Sequence, residues 1–139
     1  MPAPLRLSGE GVDLSKRFFR TGTVDASPAA AAETVVGTLT IPADLAITQG
    51  IFLWGWAALT VGASGTAVNM RIRATNVSGT VIAATGGTTV TAATLIERGA
   101  MGFDAAAVLP NQVYVLTLIV NGGAATSTVS ALQLAALVL

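Results

Sequence analysis

The chain of 139 residues contains no cysteine and no histidine. Without them it offers no disulfide framework, no CxxC redox pair, no zinc finger and no Ser-His-Asp or Cys-His arrangement. Lys16 is the single lysine and the net charge is zero, so neither a basic nucleic-acid footprint nor a phosphate-cradling GK[ST] loop is available. The largest scarcity is charge itself. Seven basic and seven acidic residues make up 10 % of the chain, where about 25 % is usual. No catalytic residue, metal site or cofactor is expected, and the chain reads as a non-enzyme of one domain.

The few charges are unevenly placed. Arg6, Glu10, Asp13, Lys16, Arg17, Arg20 and Asp25 hold half of them within the first 25 residues. The remainder of the chain has three long uncharged runs, 45–70, 74–96 and 105–139. Each is long enough to span a membrane as a helix, but each is broken by Thr, Ser, Asn and Gly, among them Gly86-Gly87 and Pro110-Asn111-Gln112. With 18 Thr and 15 Val, strands are favoured over helices. The opening MPAPLRLSGEG has no apolar core of a signal peptide. Synthesis in a cytoplasm, without a membrane partner, is therefore expected.

Residues 1–33 lack a sustained period and carry Pro2, Pro4, Gly9, Gly11, Gly22, Pro28 and the tract SPAAAA; they read as an extended arm and linker. Asp13 or Ser15 can cap a short helix reaching Arg20. From residue 34 to 139 a β domain is expected. Thr34–Ile41 alternates and is closed by Pro42, and Ala67–Thr75 sends Val68, Met70, Ile72 and Ala74 one way and Asn69, Arg71, Arg73 and Thr75 the other. Ile51–Val61 (IFLWGWAALTV) is apolar on both faces, as in a strand covered on both sides. Further strands are expected at 80–84, 88–96, 100–105, 112–120 and 126–139, the last two joined by Asn121-Gly122-Gly123, whose residues suit a tight hairpin. About eight strands without a helical crossover imply an all-β, two-sheet antiparallel sandwich, a jelly roll.

Three groups of residues are candidates for contact. Trp54 and Trp56 lie two apart on a strand, so both rings share one face with Phe52; such a face can stack sugar rings, or pack on a neighbouring subunit or on the arm. Arg71 and Arg73 share an outward face, where they can grip an anion or simply keep the strand soluble. In the arm, Lys16-Arg17-Phe18-Phe19-Arg20 sets two rings among three cations, either a plug for a partner's pocket or a segment that folds back on its own sandwich. Asp44, Glu97 and Asp104 are scattered carboxylates with no spacing that marks an acid pair or a calcium loop.

Soluble surfaces are about 25–35 % charged, which seven charges over the last 114 residues cannot supply. A homo-oligomer, expected as a trimer, would cover much of that surface. The runs TVVGTLTIPADL, IFLWGWAALTV, NMRIRAT, VLPNQVYVLTLIV and TSTVSALQLAALVL together resemble small tailed-phage virion proteins of the decoration, cement or head-fibre type. That resemblance implies a jelly roll on the outer capsid surface, a major capsid protein as partner, and an arm that reaches the shell through Arg6, Lys16, Arg17, Phe18, Phe19 and Arg20. Two other functions fit the residues: a receptor- or carbohydrate-binding jelly-roll module, and a small coat or tail component.

Overall fold

The computed structural model describes residues 16–28, 32–62, 66–106, 112–121 and 127–139. Nine strands form among them: β1 (Phe18–Thr21), β2 (Glu33–Thr40), β3 (Ile51–Val61), β4 (Thr66–Ala74), β5 (Val81–Ala84), β6 (Thr88–Val90), β7 (Leu95–Asp104), β8 (Val113–Asn121) and β9 (Ser127–Val138). One sheet has the order β1-β9-β3-β7 and the other β2-β8-β4-β5, with β6 continuing the line of β5 along β4. Every pairing is antiparallel.

This order is a jelly roll, and it follows from one long hairpin. The first half of the chain pairs with the second in nested fashion, β1 with β9, β2 with β8, β3 with β7, and β4 with β5 and β6. Rolling the hairpin sets β9 beside β3 and β8 beside β4. The roll buries the alternating apolar sides of both sheets against each other: Leu53 and Leu134 from one, Met70, Ile72, Leu116 and Leu118 from the other, all at 0 % exposure. At one seam the sheets approach so closely that a Cβ on Gly102 of β7 would stand 2.5 Å from the Ile82 carbonyl of β5.

Three expectations are corrected. Phe18–Thr21 is a strand, not part of a helix, because β9 supplies its hydrogen-bond partners and alternation puts Phe18 outside and Phe19 against the core; Asp13 and Ser15 lie outside the described residues. The stretch 88–96 is not one strand. Ala93, at φ 58°, donates its N–H to the Val61 carbonyl and breaks it, so β6 ends at Val90 while β7 begins at Leu95 and absorbs the stretch expected at 100–105. Lastly, β8 and β9 do not form a hairpin, since they lie in different sheets. Residues 122–126 between them lie outside the described residues.

Candidate functional site

The outer faces of the two sheets differ in kind. On the β2-β8-β4-β5 face the charges close on one another. Arg73 donates from Nε to Glu33 Oε1 at 2.7 Å and from Nη2 to Oε2 at 2.9 Å, while Arg71 Nη1 reaches Oε2 at 3.0 Å. The Thr117 hydroxyl adds a 2.6 Å bond to Oε1, and Arg73 Nη1 donates to the Gly79 carbonyl at 2.7 Å. Arg71 and Arg73 thus grip an anion, as their spacing allows, but it is the chain's own Glu33. The hydrogen bond from Arg73 leads the effects that lower the Glu33 pKa from its ordinary 4.5, outweighing partial burial, with Thr117 and both guanidinium charges assisting. The same bond raises the pKa of Arg73.

A carboxyl with a lowered folded pKa stabilises the fold above its ordinary value and loses that contribution as pH falls through the lowered one. Glu33→Gln is therefore expected to cost about 1–2 kcal/mol at neutral pH, a moderate figure because the network is partly solvated. Measured by urea denaturation, the difference from the wild type should shrink as the pH falls below 4.5 and vanish once it has passed the lowered folded value. A difference that persists unchanged into acid would show that the network's charge contributes nothing.

The β1-β9-β3-β7 face is apolar. Strand register sets Phe18, Leu137, Phe52 and Phe103 in one row across the sheet, and Arg20, Ala135, Trp54 and Met101 in the next. Gln133, Trp56 and Gly99 make the third row. Phe18 and Phe52 tilt against Trp54 with ring centroids 5.4 and 5.7 Å away. Met101, Leu95, Phe103 and Phe18 stay 70 %, 56 %, 46 % and 39 % exposed. The rings expected to share a face do so, and the second sides of Trp54 and Trp56 are only half buried by this chain. Leu95, Met101, Phe103 and Leu137 extend that face beyond the residues expected from sequence. Alternation within β7 carries the signal for them, but assigning it a side requires knowing that β7 pairs with β3.

The arm residues divide. Arg6 lies outside the described residues. Lys16 is exposed, and Arg17 Nη1 is anchored to the Ala46 carbonyl at 2.9 Å. Phe18 joins the outer aromatic cluster, Phe19 packs on the core, and Arg20 is exposed in the row of Trp54, with Ala135 between them. Downstream of β1 the chain is strapped to the sandwich: Asp25 N–H donates to the Val36 carbonyl, the Thr38 hydroxyl to the Asp25 carboxylate, and Val129 N–H to the Ser27 hydroxyl. Inside, the Tyr114 hydroxyl donates to Asp104 Oδ2 at 2.7 Å. Burial above all, and then the Asp104 carboxylate, push the Tyr114 pKa far up. Among the described residues no three acidic side chains gather into a metal-binding group.

No protein-family model matches the chain, and no curated protein sequence is similar to it. Solved structures do share its fold. The VP2 subviral particle of infectious bursal disease virus matches 88 % of this chain with a TM-score of 0.61 at 12 % identity. T=1 particles derived from the same virus match 88 % with a TM-score of 0.62 at 11 % identity. The match occupies 32 % and 31 % of those viral chains, so this chain spans about a third of their length. Dimeric latent PorU from Porphyromonas gingivalis matches with a TM-score of 0.57 at 11 % identity, over 88 % of this chain and 13 % of its own. At such identities the likeness is one of fold, which alone does not carry function.

Proposed function

We propose that this chain is a structural subunit of a virion, a decoration or cement protein that sits on the outer capsid surface as a homotrimer and bridges major capsid proteins. The observation that carries the reading is the aromatic outer face of the β1-β9-β3-β7 sheet, on a chain too poor in charge to leave so much apolar surface uncovered. The jelly-roll likeness to proteins of icosahedral viral particles supports it. The role is non-enzymatic, in keeping with a chain that lacks His and Cys. Attachment falls to the charged N-terminal segment that precedes β1 and contains Arg6 and Lys16.

The test is co-sedimentation with particles assembled from the major capsid protein of the same genome. Saturable pelleting is expected, with extra density on the particle exterior by electron cryomicroscopy. Removing residues 1–15 leaves β1 and its pairing with β9 in place and is expected to weaken capture by about tenfold or more, the scale of a few lost ionic and apolar contacts. Particles that bind none of the full chain would sink the decoration reading, and undiminished capture by the truncated chain would sink the role of that segment.

A further inference from the structure

The strands of the β1-β9-β3-β7 sheet place two ionisable side chains on its outer face, Arg20 on β1 and Glu97 on β7. Both are exposed, and neither has an ion-pair partner among the described residues. The sheet order puts them on opposite flanks. Glu97 lies four residues along β7 from Met101, which shares the row of Arg20. With strands about 4.8 Å apart and a rise of about 3.3 Å per residue, the two charges stand roughly 20 Å apart, well beyond a Debye length of about 8 Å. Within one copy they cannot serve each other. On the other sheet, by contrast, Glu33, Arg71 and Arg73 satisfy one another.

We infer that this face is the contact between copies of the chain, made head to tail. The β7 flank of one copy, with Leu95, Met101 and Phe103, covers the Phe18 and Trp54 rings of the next, and its Glu97 meets the next copy's Arg20. Opposite charges on opposite flanks suit a contact between copies; a two-fold contact could pair the same two charges and stop at a dimer, so the head-to-tail choice follows from three copies and not from the charges alone. A head-to-tail contact closes into a ring, here of three copies, an element that rests on the homotrimer proposed above. The face measures about 19 by 33 Å, on the order of 600 Å² per copy, which a ring divides between two neighbours, so each contact lies below the roughly 800 Å² per partner of standard complexes and the ring is held by closure of all three contacts. A net charge of zero adds no long-range repulsion between copies.

Light scattering on the isolated full chain across micromolar concentrations tests the inference without any capsid. A mass three times that of the chain is expected. Met101→Lys alters a side chain that is 70 % exposed, so it leaves the fold intact and is expected to yield monomers. Arg20→Glu and Glu97→Arg should each weaken the assembly by about tenfold, and the double exchange should restore it. A monomeric or dimeric wild type overturns the inference, as does a trimer indifferent to Met101→Lys or a double exchange that fails to rescue. A monomer that captures oligosaccharides on a glycan array, and loses them on Trp54→Ala, would give the face to sugars instead. An intact trimer that ignores capsids counts against the virion reading alone.

Discussion

Tyr114→Ala is expected to lower the unfolding free energy by about 5 kcal/mol, enough to leave a domain of ordinary stability largely unfolded. Tyr114 is fully buried near one end of β8, and truncation both opens a cavity and strips the Asp104 carboxylate of a 2.7 Å hydrogen bond. Asp104, itself 7 % exposed, would keep the Ala106 N–H at 3.1 Å. Tyr114→Phe separates the two losses: the ring stays, and about 2 kcal/mol is expected for the unsatisfied carboxylate. Equilibrium denaturation measures both. A Phe variant as stable as the wild type would mean that the hydroxyl does not hold Asp104 in place. As the chain has a single tyrosine, its titration can be followed directly. Its folded pKa lies above the ordinary 10.0, so stability is full below that value and falls as pH rises past it, and tyrosinate absorbance should appear only as the chain unfolds.

Gly50→Ala is expected to cost about 3–4 kcal/mol, the second largest effect of a single substitution foreseen. Gly50 has φ 131°, a conformation that residues with a Cβ rarely adopt, and its added Cβ would stand 2.4 Å from the Asp104 carbonyl oxygen and 3.0 Å from the Ala105 Cα. Both obstacles are backbone and cannot rotate away. The same turn accepts the Leu139 N–H on the Gly50 carbonyl, so a shift would loosen the end of β9 as well as the β3–β7 pairing at Ile51 and Asp104. Gly86→Ala is the control. Nothing lies within 4 Å of a Cβ there, and the change should stay within about 0.5 kcal/mol of the wild type. Equal effects at the two positions would show that general glycine flexibility, and not the close approach at Gly50, sets the cost.

Sequence pattern located most of the strands because period-two alternation is written locally. Ile51–Val61 forms over the full expected range, and β4, β8 and β9 begin and end within a residue of expectation or close to it. The sides of β4 were equally legible, with Val68, Met70 and Ile72 at 0 % exposure. What failed were features whose cause lies far along the chain. β1 sits among cap residues and charges that suit a helix, and its partner β9 begins more than a hundred residues later. The Asn-Gly-Gly signal after β8 marks a reversal but cannot say which sheet the next strand enters.

The candidate sites divide along the same line. Composition alone removed the chemistry of His and Cys and fixed the shortage of charge, and alternation grouped Phe52 with Trp54 and Trp56, and Arg71 with Arg73, because both are properties of neighbouring residues. Only the tertiary structure decided what each group meets. Glu33 reaches the arginines from 38 and 40 residues away, Phe18 reaches Trp54 through the pairing of β1 with β9 and of β9 with β3, and Leu95, Met101 and Phe103 join the rings through β7. Those meetings come from the rolling of a nested hairpin, in which burial of the whole apolar surface, and no local preference, selects the neighbour of each strand.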